Sequence, residues 1–355
     1  MNVQKSWWDL TGCGSRFIED VIENLEQCNS ICMASAKKLP WIDYFYEKIK
    51  GSNISSSKAF ESIDARNIKD PGEYLFSRYC SQDIQSAFWP ETPQYTHANF
   101  LAECNDILLN HRILLVRNIC SEKSLLLWRN FVAKYNKCVI GSGADVSKRA
   151  VFLLEYVGKN SALNKSETIK SLIFQPREVD ILTYNLINTA QEYTEYILNK
   201  YAAELIGDLC GGDIEACGYM AEIKGVIRNL DMVIPEAVSN DSEVFADVSK
   251  ERIHMASLSA QFKVFFPLVE QMRRELINKY YTSIGYILPW KNDYGESKNE
   301  PYDLELRDLI FKSREIGICE ADKKLLMFLR NVRNQLAHNH TICYDDILNM
   351  ANITV

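Results

Sequence analysis

The sequence predicts an α/β N-terminal domain built on a mainly parallel sheet, followed by an all-α C-terminal helical bundle. Three observations carry this prediction. Apolar runs at 30–34, 112–117 and 149–156 are short and nearly uninterrupted, as strands buried on both faces are. Stretches with helical spacing separate them, and strands alternating with helices indicate a parallel sheet. Beyond residue 160 the apolar positions recur at helical intervals instead.

The elements follow in order. Gly12-Cys13-Gly14-Ser15 reads as a glycine-rich turn ahead of an amphipathic helix whose apolar side is Ile18, Val21, Ile22 and Leu25. The run Ser30-Ile31-Cys32-Met33-Ala34 is the first strand, 112–117 the second, and 149–156, which holds Glu155, the third. Helices are expected over 100–110 and 124–135. In the middle region 180–187 and 192–209 read as helices, and Gly211-Gly212 stops the second. The stretch 235–242 is a linker by composition. A long helix is expected over 251–283, a polar loop over 289–301, a helical segment from Leu304, and a last amphipathic helix reaching His338. The expected organisation is a domain at 1–160, a helical middle region at 161–240 and a bundle at 241–355.

Composition narrows the function classes. Of 355 residues 47% are hydrophobic and 25% charged, the balance of a soluble globular chain with room for two or three domains. No run approaches the roughly 18 apolar residues of a membrane span. The first residues lack the apolar core of a signal peptide, so a cytoplasmic protein without membrane contact is expected. Eleven cysteines, an odd number without a Cys-x-x-Cys pair, suit reduced thiols. Cys28 and Cys32 lie one helical turn apart, but no Cys or His pair completes a zinc site around them. His338-x-His340 is only a weak metal signature, so neither metal nor cofactor is expected. A net charge of −7 argues against general adhesion to nucleic acid. Lys312, Arg314, Lys323, Lys324, Arg330 and Arg333 can nevertheless build a local basic patch, or equally a solvated helix surface.

The last helix carries the strongest candidate chemistry. It reads Leu329-Arg330-Asn331-Val332-Arg333-Asn334-Gln335-Leu336-Ala337-His338. At roughly 100° per residue, Arg330, Asn334 and His338 form one row, with Arg333 beside it. Leu325, Phe328, Leu329, Val332 and Leu336 fall on the opposite, core-facing side. Arginine presents a charged fork that fits phosphate. Histidine can move a proton near neutral pH, and asparagine can orient either neighbour without adding charge. Such a set suits stabilisation of a phosphorane-like state on a phosphodiester, with the RNA 2′-hydroxyl as internal nucleophile. The same face also suits a solvated helix end with a favourable C-terminal cation.

Arg333-Asn334-Gln335-Leu336-Ala337-His338 resembles the R-x4–6-H motif of HEPN domains (higher eukaryotes and prokaryotes nucleotide-binding), including the polar residue after the arginine. The helical segments over roughly the last 110 residues resemble that family's bundle. The resemblance implies a metal-independent endoribonuclease whose composite site forms when two bundles dimerise. Arg333 and His338 would be its catalytic pair and Asn334 the orienting residue. Arg330 precedes His338 at a longer spacing than the family's, which leaves it open as a second phosphate contact or the principal arginine. Some family members are inactive interaction bundles, which keeps a scaffold role in a defence complex as the alternative.

The N-terminal half resembles inactive ATPase-like modules of the STAND signal-transduction class. Gly12-x-Gly14 with Ser15 looks like the remnant of a phosphate-binding P-loop, but Gly-Lys-Ser/Thr is absent and Arg16 stands near the lysine's place. The run Val151-Phe152-Leu153-Leu154-Glu155 looks like the acidic strand of such enzymes without its magnesium-binding aspartate. The phosphate and magnesium contacts of phosphoryl transfer therefore go unfilled. Together the two resemblances imply a sensor joined to a ribonuclease effector in bacterial anti-phage or toxin systems. RNA would be its substrate, a second copy its partner, and a phage component or protein its trigger.

Overall fold

The computed structural model describes residues 2–52, 58–90, 92–159, 168–228, 248–291 and 295–353. The chain divides into two compact units, Met1–Asp180 and Ile181–Val355.

In the first unit, α1 (Gly12–Glu26) leads into β1 (Ser30–Ser35), followed by α2 (Ile42–Lys50), β2 (Ala59–Asp64), α3 (Pro71–Tyr79), α4 (His97–Glu103), β3 (Arg112–Ile119), α5 (Glu122–Gly141), β4 (Val151–Val157) and β5 (Ile169–Phe174). The strands form one sheet in the order β2-β3-β4-β1-β5, and each neighbouring pair is parallel. The three strands expected from the sequence are the three central ones. β1 and the first six residues of β4 are buried throughout, which is why their sequences are continuous apolar runs. The two edge strands show only broken burial, and their sequences AFESID and IKSLIF carry no comparable signal.

Two helix expectations shift. The stretch 100–110 is helical only in α4, and the helix expected at 124–135 runs longer, as α5. A boundary near 160 falls outside the described residues. The first unit runs past it because β5 pairs with β1 and completes the sheet.

An aromatic cluster packs the start of the chain onto this unit. Trp8 lies with its ring centroid 4.9 Å from that of Phe45 and 5.6 Å from that of Phe174, and its indole N–H donates to the Pro40 carbonyl at 3.0 Å. Phe17 of α1 joins the same cluster. The close seat of α1 requires glycine at one position. A Cβ on Gly14 would stand 2.3 Å from the Trp7 carbonyl oxygen, whereas one on Gly12 would meet only the Arg16 side chain, at 3.6 Å. Gly14→Ala should therefore destabilise the chain by roughly 1–3 kcal/mol through overpacking against backbone. Gly12→Ala should melt within a degree or two of wild type, and thermal unfolding of the two variants side by side checks the contrast.

The second unit is helical. It contains most of α6 (Glu178–Thr189), then α7 (Tyr196–Cys210), α8 (Ile214–Glu222), α9 (Lys250–Lys279), α10 (Tyr281–Ile287), α11 (Leu306–Phe311), α12 (Glu320–Ala337) and α13 (Tyr344–Ile353). Gly211 ends α7 in the left-handed conformation, as its sequence position suggested. The linker expected at 235–242 lies outside the described residues. The helix expected over 251–283 is two helices, because the backbone leaves the helical region at Tyr280. The expected polar loop at 289–301 contains a short antiparallel pair, Trp290–Lys291 with Ser297–Lys298. The helices from Ile181 onward all belong to the second unit. No helix among the described residues is long and apolar enough to cross a membrane.

Candidate active site

The helix α12 is held from behind by Leu326, Leu329, Val332 and Leu336, all fully buried. Leu326 replaces Leu325 and Phe328, which are half-buried, as the residue at the start of the core stripe. At its N-terminal end, Asp322 accepts hydrogen bonds from Lys279 Nζ at 2.6 Å and from the Tyr280 hydroxyl. At the other end Asn339 takes a positive φ of 59° and stops the helix, so His338 is its C-cap. Buried Gln261 of α9 fixes the turn beyond, accepting from the Ile342 N–H at 2.8 Å and donating to the Ile342 carbonyl at 3.2 Å.

A cavity of about 540 Å3 opens between α9, the segment 302–307 and α12. Arg330, Arg333 and Asn334 line it together with Arg273 and Arg307. Three of the four candidate residues of the motif helix thus share one cleft. His338 is exposed at the helix end and does not line the cleft. The row Arg330, Asn334, His338 therefore holds for its first two members, and its third sits where the helix is already ending.

The cleft's charges are unevenly committed. Glu270 receives both Arg273 nitrogens, at 2.8 and 2.6 Å, and Arg274 at 3.2 Å. Arg273 also donates to the Leu304 carbonyl at 2.5 Å, which ties the wall segment to α9. Hydrogen bonds from Arg273, together with the charges of both arginines, hold the Glu270 carboxyl below its ordinary range despite partial burial. Asp303 is likewise held low by the N–H groups of Glu300 and Asn299, and Glu305 caps the first turn of α11. All three carboxylates lining the cleft thus already have donors. Arg330 and Arg333, by contrast, make no ion pair with a carboxylate among the described residues. Arg333 donates a long 3.4 Å hydrogen bond to Asn334 Oδ1. The cleft lining thus sets four arginines (Arg273, Arg307, Arg330 and Arg333) against three carboxylates (Glu270, Asp303 and Glu305), a slight positive excess in a chain whose net charge is −7.

Sequence reasoning missed Gln261, Glu270, Arg273 and Arg307. Gln261, Glu270 and Arg273 lie on α9 and Arg307 on α11, and only the packing of these elements beside α12 brings them to the motif helix.

In the first unit, Gly12, Gly14 and Ser15 are not a loop. They form the first turn of α1, and α1 precedes β1. A phosphate-cradling loop in a parallel sheet follows a strand and opens the next helix. Here the first such connection is Ala36-Lys37-Lys38-Leu39-Pro40-Trp41, which contains no glycine. The sequence signal at Gly14 records helix packing instead. Glu155 is buried in β4, where it accepts from the Tyr46 hydroxyl at 2.9 Å and lies 3.5 Å from Arg117 Nε. Burial, then the Glu155 charge and its hydrogen bond, push the Tyr46 hydroxyl well above its ordinary value. Glu155 is thus engaged within the fold.

No protein-family model matches the chain, and no curated protein matches it.

Proposed function

We propose that the protein is a metal-independent endoribonuclease effector of a bacterial anti-phage or toxin system, with its α/β unit as sensor or regulator. The observation that carries the reading is that Arg330 and Arg333 line one cleft and make no ion pair among the described residues, while the carboxylates of that cleft accept hydrogen bonds from other groups. Phosphate is the anion that this donor set fits. Arg333 and Arg330 hold the non-bridging oxygens of a phosphodiester, and Asn334 orients Arg333 or the substrate. His338, next to the cleft, takes the 2′-hydroxyl proton as that oxygen attacks phosphorus. The bond from phosphorus to the 5′-oxygen breaks as the new one forms, and that oxygen takes a proton from water while His338 returns its own to solvent, giving a 2′,3′-cyclic phosphate and a 5′-hydroxyl end. His338 lies outside the cleft lining of a single chain, which is consistent with a site completed by a second copy. The α/β unit is proposed to resemble an inactive ATPase-like module on the strength of its all-parallel sheet.

The same position of His338 favours a second reading, a catalytically inactive scaffold that only binds. Sequencing of total RNA after induction, with end chemistry read, separates the two. Cyclic or 3′-phosphate ends that accumulate with wild type and not with His338→Ala are expected. Cleavage should persist in a metal chelator. Identical RNA profiles for both chains, under every activating condition tried, would leave the scaffold reading.

A further inference from the structure

Beside the arginines the cleft exposes two aromatic rings from different elements. Phe266 of α9 is 39% exposed and Tyr302, in the turn Pro301–Asp303, is 47% exposed, although both line the cavity. Each ring is backed by another. Phe262 lies 5.8 Å from Phe266 between centroids, and Tyr281 lies 6.1 Å from Tyr302. The Tyr302 hydroxyl donates to Asn278 Oδ1, which ties the edge of the ring to α9. Rings held in place lose little freedom when something flat stacks on them.

We propose that Phe266 and Tyr302 form a base-binding subsite next to the arginines, taking one unpaired nucleobase of the strand whose phosphate Arg330 and Arg333 hold. This rests on the phosphodiester reading of the cleft and adds to it what the neighbouring walls recognise. Charge complementarity selects the occupant. A polyanionic strand brings phosphate and base together, and stacking on aromatic side chains tolerates any base. The cavity volume of about 540 Å3 falls in the range of small-molecule sites, enough for a single nucleotide but not for a duplex. Stacking on these rings needs a base free of its helix, so the strand is unpaired there.

The test uses the full chain carrying His338→Ala, so that RNA is bound and not consumed. Binding of a short labelled single-stranded RNA is followed by fluorescence anisotropy, beside the same backbone with abasic positions and beside the paired duplex. The abasic strand and the duplex should bind roughly tenfold or more weakly than the single strand. Phe266→Ala and Tyr302→Ala should lose the same factor on the normal strand and little on the abasic one, while Tyr302→Phe retains binding. Arg330→Ala should instead flatten the salt dependence, by about 0.7 in the log–log slope. Equal affinity for normal and abasic strands overturns the base subsite and leaves the phosphate reading standing. No binding of any strand overturns both. Self-association abolished by Phe266→Ala and Tyr302→Ala, with strand affinity unchanged, assigns the rings to a second copy of the chain instead.

Discussion

Replacing His338 with alanine should lower the rate of RNA cleavage by roughly 10²- to 10⁴-fold, the usual contribution of a positioned proton-transfer group. The melting temperature should not move. His338 is exposed, and its structural role is carried by backbone: its N–H donates to the Asn334 carbonyl at 3.1 Å and the Gln335 carbonyl at 3.2 Å. Those bonds survive a change of side chain. The following turn is fixed by Gln261, which the substitution leaves alone. The variant therefore separates chemistry from folding, which a change at buried Leu329 or Val332 would not. His338→Gln should be as slow, because it keeps a hydrogen-bonding side chain but cannot shuttle a proton. Single-turnover cleavage at saturating protein, together with a thermal melt, measures both expectations. A loss smaller than tenfold takes His338 out of the chemistry and favours the scaffold.

Much of the fold was legible in the sequence where burial is complete on both faces. β1, β3 and β4 lie inside the sheet, and their residues form continuous apolar runs. β2 and β5 are edges, solvated along part of their length, so Ala59–Asp64 and Ile169–Phe174 carry mixed residues that no periodicity marks as strands. The motif helix was legible for a related reason. Of the core side expected from the spacing, Leu329, Val332 and Leu336 are buried, and these three suffice to place Arg330, Arg333 and Asn334 away from the core from the sequence alone. The cleft itself was not legible. Its second wall comes from α9, more than fifty residues upstream of Arg330, and its third from the segment around Tyr302. Gly14 misled for an instructive reason: a glycine demanded by close backbone approach and a glycine demanded by a phosphate look the same in one sequence.

Co-expressing Arg333→Ala with His338→Ala should restore roughly a quarter of wild-type cleavage, although each variant alone is nearly inactive. Arg333→Ala by itself should cost roughly 10²- to 10³-fold, as removal of a donor to developing charge does. The recovery follows from where the two residues stand. Arg333 lines the cleft, while His338 sits past the end of the helix, outside that lining. If the arginine of one chain works with the histidine of its two-fold partner, a mixed dimer holds one site lacking both residues and one site lacking neither. Random pairing makes about half of the dimers mixed, each with one working site out of two, which gives the quarter. Differently tagged chains purified through both tags should enrich the mixed species and raise the recovery to about half. Were Arg333 and His338 of the same chain to act together, each mixed dimer would contain two broken sites and no activity would return. The base subsite behaves differently under the same design, because Phe266 and Tyr302 belong to the cleft of the chain that supplies Arg333. A Tyr302→Ala change should therefore damage the mixed dimer when carried on the His338→Ala chain, which supplies the working arginine, and be silent on the Arg333→Ala chain.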